Sequence, residues 1–276
     1  MRKIICSLLV GVILLTYVGC RKADNNTINE MCYGSELYNS VYAYNGDESI
    51  HIIPIMSKKD MTKAQDINIE ADGGKYELDI SVEDGEYSYK EYHLYRICLK
   101  FSDVVFDSDI ISVSKINVYY EDGDSVQLDL DKCELVKIDG EYNCDYIDII
   151  GSALRIPSDM KSIPIKLSAE EPVEITNIYL TNDSFKITNF VKGNGDTSDT
   201  FEPFILDTDG SEMDYKTTFD VNTDSIGAYK NYGTTVIIEY SVNGKLYYTF
   251  PAIPRTIYNP FDTGFDGIEN YFNSLT

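Results

Sequence analysis

Few side chains in this sequence are of the kinds that do chemistry, and their spacing decides which chemistry is open to them. Asp220, Asn222 and Asp224 alternate through Asp220-Val221-Asn222-Thr223-Asp224. Oxygen ligands at loop positions one, three and five converge on a hard cation such as calcium. The stretch then departs from a complete calcium loop. Position six is Ser225 where the sharp turn uses glycine, and position twelve is Asn231, which has no carboxylate for bidentate binding. Asp207-Thr208-Asp209-Gly210 and Glu121-Asp122-Gly123-Asp124 are acidic turns without a full ligand set. Asp/Gly turn chemistry is the competing account of all three. No cofactor is therefore required, and calcium at Asp220, Asn222 and Asp224 is the one to consider.

The two histidines, His51 and His93, sit in Ser-Ile-His-Ile-Ile and Glu-Tyr-His-Leu-Tyr. These are strand-like contexts that suit structural imidazoles, yet a Ser-His-Asp or Cys-His site would have to recruit one of them. The motifs G-x-x-x-x-G-K-S/T, H-E-x-x-H, G-x-S-x-G and C-x-x-C do not occur in the sequence. Glycoside hydrolysis needs only two carboxylates at the right separation. With 46 Asp and Glu available, composition neither argues for a particular pair nor against one.

Cys6 and Cys20 lie near the N-terminus, which leaves Cys32, Cys98, Cys133 and Cys144 to pair in an oxidising compartment. Asp139-Gly140 reads as a hairpin turn, so a Cys133–Cys144 bridge is expected, with Cys32 and Cys98 as the remaining pair. Four buried free thiols are the alternative.

Whether those thiols meet an oxidising compartment is decided by Met1 to Cys20. Arg2 and Lys3 precede an apolar run from Ile4 to Val18, and polar Arg21, Lys22, Ala23 and Asp24 come after it. That is the grammar of a secretory signal. The run falls short of the roughly 20 apolar residues that span a bilayer comfortably. Tyr17-Val18-Gly19-Cys20 resembles the lipobox of bacterial lipoproteins, with Tyr17 standing where leucine is commonest. The resemblance implies that Cys20 is acylated and becomes the mature N-terminus. A diacylglyceryl thioether supplies two chains, enough for stable retention where one chain binds only marginally. The implied partner is the membrane, reached through a lipid anchor, with the chain facing outside.

The whole chain has 276 residues and a formal charge of −23. A field of that sign repels phosphate backbones, so nucleic acid is excluded as a partner. The acidic residues are dispersed and 43% of the chain is hydrophobic, which is the composition of a folded protein. Tyr (23) and Phe (11) are abundant and Trp is absent. Tyrosine with isoleucine and valine suits a pleated, half-buried surface.

Turn punctuation at strand-like intervals supports an all-β reading. Asp66 to Ala71 and Tyr76 to Glu83 alternate around Gly73-Gly74. Asp122-Gly123 separates Ile110–Tyr120 from Ser125–Leu130, and Asn243-Gly244 separates Thr234–Val242 from Lys245–Phe250. Phe265, Ile268, Phe272 and Leu275 recur at helical spacing, so a short C-terminal helix is expected. The expected organisation is a signal peptide over 1–19, a lipid-anchored stalk over 20–48, and a β domain over 49–156. A linker over 157–172, a second β domain over 173–258 and a tail over 259–276 complete it. The fold class is all-β, with two β-sandwich-like domains. These features imply a non-enzymatic binding or structural module whose partner is a surface protein or a glycan. The alternative is a glycan-directed extracellular hydrolase using a carboxylate pair. A solute-binding lipoprotein is disfavoured, because the helical periodicity of βαβ lobes is missing.

Overall fold

A computed structural model describes residues 32–44, 46, 48–150, 166–185, 190–191, 197–198, 200–206, 231–251, 255–258 and 265–274. Its strands are numbered β1 to β19 along the chain, and they form an all-β architecture with one short C-terminal helix.

Two sheets face each other over the principal core. The first has the order β1 (Cys32–Tyr33), β3 (Glu48–Ser57), β6 (Tyr92–Phe106), β5 (Gly74–Tyr89), with every neighbouring pair antiparallel. The second runs β19 (Arg255–Tyr258), β16 (Asn231–Thr234), β2 (Tyr38–Tyr44), β9 (Lys132–Lys137), β7 (Ile110–Tyr120), β4 (Ala64–Asp72). In it β8 (Ser125–Asp129) pairs with the end of β7. Period-2 alternation explains why these sheets close on one another. Ile53 and Ile55 of β3, Ile97, Leu99 and Phe101 of β6, and Ile111, Ile116 and Val118 of β7 are all buried in one cluster. Each such side chain contributes about 1.5–3 kcal/mol when removed from water.

A second cluster lies under β15 (Phe204–Leu206), β12 (Val173–Leu180), β17 (Val236–Val242) and β18 (Lys245–Thr249), which form a four-stranded antiparallel sheet in that order. Val173, Ile175, Val236, Ile238 and Tyr240 fill it, together with Ile147 and Leu167 from the two-stranded sheet of β10 (Ile147–Ile150) and β11 (Lys166–Ala169). β13 (Phe190–Val191) and β14 (Thr197–Ser198) make a further short pair. The helix α1 (Phe265–Ser274) lays Ile268, Tyr271 and Phe272 against Met56, Tyr92 and Leu94 at one end of the first sheet.

Several expectations meet a different arrangement. The segment expected as a stalk supplies β2, whose seven residues are all buried and which pairs in parallel with β9 on one side and β16 on the other. Being buried on both faces, Tyr-Asn-Ser-Val-Tyr-Ala-Tyr shows no alternation to read. Because β16 and β19 come from the C-terminal half, the larger sheet draws strands from both halves of the chain. Between Thr234 and Val236 the chain passes from that sheet into the one holding β12. Gly233 permits this packing, because a Cβ there would overlap the Tyr42 hydroxyl and Ser40 Oγ of the adjacent strand. Asn243 and Gly244 adopt φ of 51° and 79°, which is the two-residue turn demanded between β17 and β18.

Asp139-Gly140 does not close a ladder. After it the chain leaves β9, and Tyr142 bridges to Tyr248 of β18. All four described cysteines are free thiols, in place of the expected Cys133–Cys144 and Cys32–Cys98 bridges. Cys133 points into the core from β9, whereas Cys144 lies on the departing segment and is exposed. Cys32 is opposite Ser57 on β3 and Cys98 is opposite Ile52. That offset is about 17 Å of strand, beyond the roughly 7 Å that a disulfide can bridge.

The two clusters are joined by a buried polar seam. Asn182, fully buried, donates through Nδ2 to the Asn39 carbonyl (3.1 Å), Asn39 Oδ1 (3.0 Å) and the Gly233 carbonyl (2.9 Å). The Thr181 hydroxyl donates to the Val41 carbonyl, and Thr235 Oγ1 accepts from the Ala43 N–H at 3.1 Å. These seam groups are tolerated in the interior because they are hydrogen-bonded to one another and to the backbone.

Candidate functional site

The principal sandwich is open along one side. β4 ends the seven-stranded sheet and β5 ends the four-stranded one, and Asp72-Gly73-Gly74 carries the chain from one to the other. Among the described residues each strand is hydrogen-bonded on one side only, to β7 and β6 respectively. Between them lies a groove of about 660 Å³, within the ~300–1,000 Å³ typical of ligand clefts. Its walls are Ile67 and Ile69 from β4 and Leu78, Ile80 and Val82 from β5, all half-buried, with no further strand over them among the described residues. Met61 and Thr62 lie at one end. There Asp60 accepts from the Thr62 hydroxyl at 2.6 Å and the Thr62 N–H at 3.1 Å, which holds its carboxyl below the usual range.

The rims of the groove are acidic. Strand alternation that turns the isoleucines, leucine and valine inward turns Asp66, Glu77, Asp79 and Glu83 outward and exposed. None of these four forms a salt bridge among the described residues. Lys100, opposite Asp79 on β6, is held by Glu48 at 2.7 Å instead. Asp66 is the one carboxylate among the lining residues, where glycoside hydrolysis uses two flanking the scissile bond.

His51 lies elsewhere, fully buried between the two sheets. Its Nδ1 is 2.9 Å from the Tyr38 hydroxyl, and its ring stacks on Tyr42 with centroids 4.6 Å apart. Burial pushes its pKa down to about 3, the Glu134 backbone only partly offsetting this, and Nε2 has no hydrogen-bond partner of good geometry. A neutral imidazole sealed from solvent cannot shuttle protons to a substrate. His93 is exposed on β6, opposite Ser57.

The acidic turn Glu121–Asp124 is occupied from within. Lys59 Nζ lies 2.8 Å from Asp122 and 2.7 Å from Asp124, with the Tyr120 ring beneath it at 4.2 Å. Asp220, Asn222 and Asp224, like Asp207–Gly210 and Cys20, lie outside the described residues. Among the described residues no group of three or more His, Cys, Asp or Glu could hold a metal ion. No helix among them is long and apolar enough to cross a membrane.

Of the residues singled out from the sequence, then, Cys32 and Cys133 are core, Cys98 is half-buried on β6 and Cys144 is exposed. The structure brings none of them to the groove. Burial pushes the Cys32 thiol up to about 11, although Ser57 accepts its hydrogen bond at 3.2 Å. Ten of the described tyrosines are core residues, among them Tyr38, Tyr42, Tyr95, Tyr240 and Tyr271. The groove residues themselves were visible as two alternating runs. That both runs are edges facing each other, unpaired among the described residues, was not.

No protein-family model matches the chain, and no curated protein matches it. Among solved structures it is similar to the D00-D0 domain of Intimin, at 10% identity and a TM-score of 0.22, covering 82% of this chain and 98% of that one. It is similar to the mouse nectin-like molecule 4 ectodomain (Ig1–Ig3) at 11% identity and TM-score 0.22, covering 79% of this chain and 62% of that one. For zebrafish RET cadherin-like domains 1 to 4 the identity is 7% and the TM-score 0.25, covering 83% of this chain and 51% of that one. The chain thus spans less than two thirds of the latter two.

Proposed function

We propose that this chain is an extracytoplasmic lipoprotein, anchored through Cys20, whose all-β body is a non-enzymatic binding module with the β4–β5 groove as its binding surface. The N-terminal grammar supports the anchor, since a basic start, an apolar run and Gly19-Cys20 are what a lipidated signal requires. One observation carries the binding role. Five apolar side chains are left half-covered between two strand edges that are unpaired among the described residues, and an opening of that kind in a sandwich marks a site for something else to fill. A single lining carboxylate favours binding over hydrolysis.

Two measurements test this. Mass spectrometry of the membrane-extracted mature chain should find a diacylated Cys20 at the N-terminus, and Cys20→Ala should leave uncleaved precursor. Another N-terminus, or an unmodified Cys20, removes the anchor. For the groove, a photo-crosslinking side chain at Gln65 should give a discrete adduct in intact cells of the native host. The same group at Leu246, 65% exposed on β18, should give none. No adduct at Gln65, or equal adducts at both positions, overturns the groove as the binding surface.

A further inference from the structure

The groove has a geometry that selects one kind of occupant. We infer that it receives an extended segment of a partner protein, which adds as a strand to the free edge of β5. Its apolar side chains would alternate into the groove and its lysines or arginines would alternate outward. This inference rests on the groove being the binding surface and names what fills it.

The edge is suited to strand addition. From Glu77 opposite Ser102 to Asp84 opposite Tyr95 the register with β6 runs without a break, and irregularities fall only on either side. That leaves eight regular residues, about 26 Å of strand, whose outward N–H and C=O groups have no strand partner among the described residues. A strand hydrogen-bonded there would alternate its side chains as β5 does. One set would lie against Leu78, Ile80 and Val82 and reach Ile67 and Ile69 across the groove. Main-chain bonding with pockets for alternate side chains is how edge strands capture peptides.

Charge decides which peptide. Edge strands are commonly guarded against pairing by charges turned inward, toward the face another strand would cover. Here the inward row is apolar and the charges stand on the outer row, at Glu77, Asp79 and Glu83, with Asp66 on the opposite rim. Like charges directly opposite each other across a ladder are destabilising, and opposite charges are favourable. A second copy would bring its own acids to this edge and carries the same −23 charge, so self-pairing is disfavoured. A strand with basic residues in its outer row gains opposite Glu77, Asp79 and Glu83, with the uncharged Ser81 between them.

The test uses three nine-residue peptides with blocked ends. In one, lysine and valine alternate. In the second, the same residues are ordered with the lysines in a block, and in the third glutamate replaces lysine in the alternating order. Fluorescence anisotropy with the soluble chain 21–276 should show the alternating lysine peptide binding at least tenfold tighter than either control. Amide hydrogen exchange should show protection concentrated at Glu77–Asp84. The exposed triple variant Glu77→Lys, Asp79→Lys, Glu83→Lys should weaken the lysine peptide at least tenfold and favour the glutamate peptide. Amide protection in the unaltered chain decides the matter even where that variant folds poorly.

Equal binding of the blocked-order peptide would reduce the effect to net charge and overturn the inference. Protection at another edge, or no binding at millimolar peptide, would do the same. Protection of Glu77–Asp84 that grows with protein concentration and no peptide would make a second copy the occupant, which also overturns it. A Gln65 adduct in cells together with any of these results rejects the basic strand and leaves the groove as the binding surface.

Discussion

Burial of His51 should make this protein less stable as the pH falls. The His51 pKa falls from 6.5 to about 3 in the folded chain because burial penalises the charged ring. The stability this group contributes is complete above the unfolded value. Below it the unfolded chain takes up a proton that the folded chain refuses, so stability falls by about 1.4 kcal/mol per pH unit until the folded value is reached. Between pH 7 and pH 4 the loss comes to about 3 kcal/mol, on top of whatever the carboxylates do. His51→Phe isolates it. Phenylalanine keeps the stacking on Tyr42 but leaves the buried Tyr38 hydroxyl without its Nδ1 partner, a cost of about 1–3 kcal/mol at pH 7. The variant should therefore be less stable at pH 7 and more stable at pH 4, the two curves crossing near about pH 5 for a cost of about 2 kcal/mol. Urea denaturation of residues 21–276, monitored by tyrosine fluorescence since the chain has no tryptophan, reads both at each pH. Groups common to both proteins cancel in the difference. A stability difference that stays constant from pH 7 to pH 4 would refute the claim that the fold holds His51 neutral.

The same geometry makes two other perturbations informative. Asn182→Ala removes the donor to Asn39 and Gly233 and strands buried carbonyls on both sides of the seam; it should cost about 2–4 kcal/mol, and a urea midpoint unchanged from the parent would show that the seam does not couple the clusters. Maleimide labelling of residues 21–276 in the native state should modify Cys144 quickly, Cys98 slowly and Cys32 and Cys133 only on unfolding, since both are buried and burial raises their thiol pKa values; fewer than four reactive thiols after unfolding without reductant would reveal a disulfide.

Local rules were legible wherever a signal is local. The Asn243-Gly244 hairpin needs two consecutive residues at positive φ and has them. The Asp122-Gly123 turn joins β7 and β8 as its flanks imply. The helical spacing of Phe265, Ile268 and Phe272 gives α1. The reading failed where a partner is distant in sequence. β2 is buried on both faces between β16 and β9, yet the polar, broken Asp24-Asn25-Asn26-Thr27 and Asn45-Gly46-Asp47 on either side of it in the sequence made the segment look like a stalk. Asp139-Gly140 carries the same dipeptide as a hairpin turn, yet the segment after it, through Tyr142, is claimed by β18, far along the chain. A turn dipeptide specifies a reversal and does not name the strand that the reversal meets.

The groove shows the same limit from the functional side. Ile67 and Ile69, then Leu78, Ile80 and Val82, alternate with acids in a pattern indistinguishable from that of any strand with one face buried and one in water. What makes these residues a candidate site is position. β4 ends one sheet, β5 ends the other, and the short turn through Gly73 sets the two ends side by side with no described strand between them. An interior strand with outward acids is only a solvated face. The same acids on an unpaired edge become a rule about which strands can join it, because cross-strand pairing converts each outward charge into a preference for its opposite. The apolar row supplies a reason to be covered, and the acidic row restricts what can cover it.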